Sequence, residues 1–250
     1  MIRCSSLPVD PGATVADVVE RLVLWDIDGT LVRAGKVASE IFATAVEHAV
    51  GRHPGDHGVV MSGKTDPQIA LEILAGMGLD ATDGERHLAG VVDRMERELA
   101  EAVELIRTRG RVLAGVEKAL VTLGNDEGVA QSVLTGNTAV NAATKLAALG
   151  LDHLLDLEIG AYGSDDRDRC ALVPVALERA ATRRGWALGP PDVWVVGDTA
   201  NDLACARAGG ARCLLVGTGQ TPVETLTGLG ADAVLDDLSD TEAVIKLLRS

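Results

Sequence analysis

The chain has 250 residues, with 23 Lys+Arg against 37 Asp+Glu for a formal net charge of −14, and 47% hydrophobic content. This length fits one large domain or a core with a smaller appendage, and the apolar content suffices for a substantial core. The acidic balance argues against a nucleic-acid partner and an anionic membrane surface, and three Trp, one Tyr and one Phe offer little for base stacking.

Residues 1–20 carry Pro8, Pro11, Gly12 and little periodicity, and read as a loose leader with room for one short helix. They lack the charged-then-apolar pattern of a signal peptide, and no stretch approaches the roughly 20 apolar residues of a membrane span. The apolar run from Leu22 to Trp25 stops at Asp26, as a buried parallel strand does. Helical stripes follow: Val37, Ile41, Ala45 and Ala49; then Ile69, Ile73 and Met77; then a long third stripe from Leu88 to Ile106. Further apolar runs at 128–134, 155–159, 192–196, 212–216 and 233–235 predict strands. Between them, residues 139–149 and 169–184 predict helices closed by Gly150 and Gly185. Such alternation specifies an open, Rossmann-like parallel α/β sheet. One helical crossover takes about 30 residues, and the interval between Asp26 and Thr135 is several times longer. Residues 36–112 therefore read as a helical bundle inserted into an α/β core of 1–35 and 113–250. The cysteines Cys4, Cys170, Cys205 and Cys213 form no C-x-x-C pair, which predicts a reduced, cytoplasmic protein with Cys205 and Cys213 as inert buried thiols.

The chemistry concentrates at predicted strand ends. Asp26 and Asp28 stand two apart after the first strand, so alternation sends both side chains to one side. Two close carboxylates repel, and a hard divalent cation resolves that conflict, leaving one acid to attack and the other to carry a proton. The alternative is a helix cap or a solvated turn. Thr135, Gly136 and Asn137 place a hydroxyl and backbone amides where a helix opens, a site for phosphate or simply an N-cap. Asp198 and Asp202, four apart after another strand, can complete the oxygen shell of a cation or act as first-turn acids. A cation must neutralise a phosphoryl group among these acids. No lysine occurs between Lys145 and Lys246, which leaves Arg167 or Arg169.

The segments DIDGT, LTGN, a basic residue and GDTANDLACA, in that order, resemble the four motifs of the haloacid dehalogenase superfamily over residues 22–216. The resemblance implies that Asp26 is a nucleophile forming an aspartyl-phosphate and that Asp28 is the general acid and base. It implies phosphoryl binding by Thr135, Gly136, Asn137 and Arg169, with Arg167 as the less favoured cation. It further implies Mg²⁺ held by Asp26, the main-chain carbonyl of Asp28, and Asp198, supported by Asp202. Many relatives carry Lys-Pro in the third motif, whereas this chain has Arg169-Cys170. The inserted bundle is similar to the first cap type of phosphoglycolate-phosphatase-like members. In it, Ser62-Gly63-Lys64-Thr65-Asp66 offers a cap for the helix at Pro67 and, through Lys64, a contact for a substrate carboxylate or second phosphate.

The expectation is a Mg²⁺-dependent phosphatase for a small phosphorylated metabolite. Sugar phosphomutases share the motifs, and a phosphonatase would use Lys64 for a Schiff base. Asp28 argues against a dehalogenase proper, and the placement of the acid pair after strand one argues against a phospho-accepting receiver. His53 and His57 flank Pro54 and Gly55 and read as loop, while the late Gly217-Thr218-Gly219 reads as a turn rather than a dinucleotide fingerprint.

Overall fold

The computed structural model describes residues 19–34 and 37–250. Most of the leader, Cys4 and the expected 35/36 boundary lie outside the described residues. The chain runs β1 (Arg21–Trp25), β2 (Val32–Arg33), α1 (Val37–Val50), α2 (Asp66–Gly76), α3 (Ala81–Glu101), α4 (Val103–Arg109), β3 (Arg111–Val112) and α5 (Val116–Gly124). It continues through β4 (Val129–Thr135), α6 (Ala139–Ala148), β5 (Ala161–Tyr162), α7 (Leu172–Arg179), β6 (Val193–Gly197) and α8 (Ala200–Ala208). The last elements are β7 (Arg212–Val216), α9 (Val223–Thr227), β8 (Ala233–Leu235) and α10 (Thr241–Leu248).

Six strands form one parallel sheet in the order β5-β4-β1-β6-β7-β8. Strand β1 alternates between two apolar layers, as a strand covered on both faces must. Val23 and Trp25 pack with Leu120, Leu146 and Val244 under α5, α6 and α10. Leu22 and Leu24 pack with Leu172, Cys205 and Leu226 under α7, α8 and α9. Helices α1–α4 share a third cluster built on Ile41, Phe42, Ile73, Leu74, Val91 and Ile106, which also takes in Ala148 of α6. They leave and rejoin the sheet through β2 and β3, which pair antiparallel.

Three expectations need correction. Residues 155–159 form no strand: the Asp156 carboxylate accepts from Glu158 N–H, closing a 3₁₀ turn over Leu157–Ile159, and pairing is deferred to β5. The third stripe is divided at Ala102 (φ −90°, ψ 10°), which lets α4 turn against α6. The run 169–184 opens with a 3₁₀ turn over Arg169–Ala171 and ends in a π-helical turn over Ala180–Arg184, stopped by Gly185 at φ +74°. The short pair β2–β3 carries too few residues to show a period, and hydropathy missed it.

Candidate active site

The carboxyl ends of the adjacent strands β4, β1 and β6 deliver Thr135, Asp26 and Asp198 to one place, where open parallel sheets bind ligands. Asp26 is fixed by its N–H donating to the Val196 carbonyl at 2.8 Å. The chain then turns sharply through Gly29, at φ +95°, before β2. Beside these strand ends lies a cavity of about 300 Å³ bordered by Asp26, Asp28, Thr135, Lys145 and Arg169. Lys64, Phe42 and Met61 of the helical insertion line it as well.

Arg169 and Arg167 part company here. Arg169 donates from Nη2 to Asp202 Oδ1 at 2.5 Å and lies 3.0 Å from Asp26 Oδ1, while Arg167 is exposed and pairs with Glu85 of α3. Burial opposes the charge on Arg169, but Asp202 and Asp26 hold its pKa above the usual arginine value. Asp202 also accepts from Thr199 N–H at 2.9 Å and Thr199 Oγ1 at 2.6 Å, so both its oxygens are engaged at the start of α8.

Asp26, Asp198 and Asp202 each bring a carboxylate oxygen within 4.8 Å of the others. Burial, reinforced by the neighbouring acids, pushes Asp26 up to about 6 against the opposing pull of Arg169. Burial, followed by Asp26 and Asp202, pushes Asp198 up to about 8. Only Thr30 Oγ1 donates to the Asp198 carboxylate, at 3.3 Å, among the described residues. A Cβ on either Gly29 or Gly219 would strike that carboxylate, so both glycines keep a cradle open around it. Hard oxygen donors, excess buried negative charge and this cradle fit a divalent cation. The Asp28 carboxylate is turned elsewhere: its Oδ2 accepts from Asn137 Nδ2 at 2.9 Å and Lys145 Nζ at 2.5 Å.

Thr135 is fully buried, and its Oγ1 accepts from Asn137 Nδ2 at 2.8 Å. The N-terminus of α6 beyond it is taken by a carboxylate of the insertion: Asp66 accepts from Thr138 N–H and Asn141 Nδ2, each at 3.0 Å. Burial raises the Asp66 pKa, against the lowering effect of Lys145 and these hydrogen bonds. Thr65 is the N-cap of α2, accepting from Gln68 N–H, and its hydroxyl donates to the Arg167 carbonyl at 2.8 Å. Asp66 N–H donates to the Gly136 carbonyl at 2.7 Å, and Asn201 Nδ2 donates to the Ser62 carbonyl at 3.3 Å. The segment from Ser62 to Asp66 thus crosses the loop after β4, the turn before α7 and the start of α8. Lys64 borders the cavity with its ammonium paired to Glu72.

Sequence reasoning missed Lys145 and Asp66. Lys145 occupies a position of the α6 stripe Ala142, Leu146 and Leu149, and a lysine inside an apolar stripe was the available signal. Asp66, first residue of α2, looks like an ordinary helix-start acid, and only tertiary structure shows its partner.

The family model described as haloacid dehalogenase-like hydrolase matches residues 23–207, and the chain belongs to that family. A search of curated proteins finds no match. Among solved structures, a predicted phosphoglycolate phosphatase from Haemophilus somnus 129pt is similar, with 17% identity, a TM-score of 0.64, and coverage of 93% of this chain and 100% of that one. A predicted phosphatase from Clostridium acetobutylicum gives 16% identity and a TM-score of 0.66 over 91% of this chain and 99% of that one. A putative β-phosphoglucomutase from Thermotoga maritima gives 18% identity and a TM-score of 0.56 over 91% and 99%. At these identities the likeness establishes the fold.

Proposed function

We propose that this hydrolase is a Mg²⁺-dependent phosphomonoesterase that takes the phosphoryl group of a small metabolite onto Asp26. The observation that carries the reading is the convergence of Asp26, Asp28, Thr135 and Arg169 on one cavity, beside a buried acid cluster suited to a cation. Asp26 attacks phosphorus from the strand end while Asp28 gives a proton to the leaving oxygen. Asp28 then takes a proton from the water that releases phosphate, returning both acids to their starting states. Thr135 Oγ1, the Gly136 amide, Asn137 and Arg169 hold the phosphoryl oxygens, with Arg169 offsetting the charge that builds in the transition state. Mg²⁺ would be held by Asp26, the Asp28 main-chain carbonyl and Asp198, and supplies neutralisation of phosphoryl charge among the acids. Asp202 keeps Arg169 in place.

The cavity volume supports a small substrate, since ligand clefts commonly span about 300–1,000 Å³. We assign residues 36–112 as the cap that closes over it, with Lys64 as the contact for a substrate carboxylate competing with Glu72. The unpaired Cys170, Cys205 and Cys213 support a reducing, cytoplasmic location. No helix among the described residues is long and apolar enough to cross a membrane. A phosphate-release screen over metabolite phosphates tests the reading. Turnover that needs Mg²⁺, stops with EDTA and vanishes in Asp26→Asn is expected. Hexose-phosphate isomerisation faster than phosphate release would assign the chain to mutase chemistry instead.

A further inference from the structure

Lys145 comes from α6 and enters none of the steps above, yet its side chain is only 4% exposed. An ammonium is costly to bury, and an aliphatic residue would suit the stripe it occupies. Its partners account for it. Nζ donates to Asp28 Oδ2 at 2.5 Å and to Asn137 Oδ1 at 2.6 Å. Asn137 Nδ2 donates to that same Asp28 oxygen at 2.9 Å. Two donors therefore hold one oxygen of Asp28. The other, Oδ1, takes no hydrogen bond among the described residues, and the side chain remains 43% exposed at the cavity wall.

We infer that Lys145 is a positioning residue: together with Asn137 it clamps Asp28 through Oδ2 and dedicates Oδ1 to proton transfer at the leaving oxygen. The inference rests on the phosphomonoesterase reading. In the step concerned, the Asp26–phosphorus bond forms, the ester P–O bond breaks, and the Asp28 Oδ1 proton passes to the departing alkoxide. The product is a neutral alcohol and an Asp28 carboxylate, which the ammonium stabilises. A group that acts in this way matters most where the leaving oxygen needs its proton.

The test compares kcat/KM for an alkyl phosphomonoester and for p-nitrophenyl phosphate, whose leaving group departs as a stable phenolate. Misplaced catalytic groups cost on the order of 10²-fold. Lys145→Met should lose about that factor on the alkyl ester and less than about tenfold on the aryl ester. Lys145→Arg should recover part of the alkyl rate, and Lys145→Met should add nothing in an Asp28→Asn background. Because each ratio is taken within one preparation, partial unfolding cancels, and Lys145→Gln repeats the comparison if the Met variant does not fold. Equal losses on both esters, or a further loss in the Asp28→Asn background, would overturn the positioning role while leaving the phosphatase reading intact. That result would point instead to direct substrate contact or to charge balance for Asp66. A wild-type protein that releases phosphate from neither ester overturns both readings.

Discussion

Replacing Arg169 with Leu removes the cation from a fully buried charge cluster. The Arg169 and Asp202 side chains are 6% and 0% exposed and meet at 2.5 Å, so solvent screens this pair little. The substitution leaves the Asp202 carboxylate with Thr199 as its sole hydrogen-bond donor among the described residues and leaves Asp26 and Asp198 beside it without their counter-charge. Breaking a buried pair by removing one partner costs about 3–5 kcal/mol. In a chain of this size each kcal/mol shifts the melting temperature by about 2–4 °C. The metal-free protein should therefore melt roughly 6–20 °C lower, measured by circular dichroism in chelator near neutral pH. Adding Asp202→Asn to the Arg169→Leu chain should return part of that loss, since the amide oxygen can still accept from Thr199 N–H while the stranded charge is gone. A fall of less than about 2 °C for Arg169→Leu, or a second substitution that deepens the loss, would refute the reasoning.

Two further outcomes follow from the same geometry. Asp26 and Asp198 have folded-state pKa values raised to about 6 and about 8 from 3.8, so the stability they contribute is complete below the unfolded value and lost as pH rises through the folded ones. Mg²⁺ requires the ionised acids, so the rise in melting temperature on adding Mg²⁺ should be larger near pH 8.5 than near pH 5.5, and an equal rise at both would contradict it. Gly136→Ala drives a Cβ into the Lys64 carbonyl and must push the segment from Ser62 to Asp66 off the site. Overpacking of this kind costs about 1–3 kcal/mol, and the variant should show a raised KM for the metabolite. An unchanged KM would mean that the segment does not shape the substrate cavity.

The candidate-site residues legible in sequence are those whose position is set by strand ends. Asp26, Thr135 and Asp198 each stop an apolar run that the core requires, so a break in hydropathy marks both the fold and the place where chemistry is delivered. Arg167 and Arg169 could not be separated that way, because both lie in the same polar stretch, and only the turn at Asp168 aims one inward and the other at Glu85. Lys145 and Asp66 were hidden because their partners come from segments distant in sequence. Residues 155–159 show the converse: an apolar run with strand composition becomes a 3₁₀ turn because one internal carboxylate, Asp156, caps it.

The central claim is that Asp26 carries the phosphoryl group, and trapping that intermediate tests it most directly. Protein incubated with substrate and Mg²⁺, quenched and reduced with borohydride should yield homoserine at position 26, identified by peptide mass spectrometry. Asp26→Asn should yield none. Steady phosphate release with unmodified Asp26 under the same quench, or label on any other residue, would contradict the account.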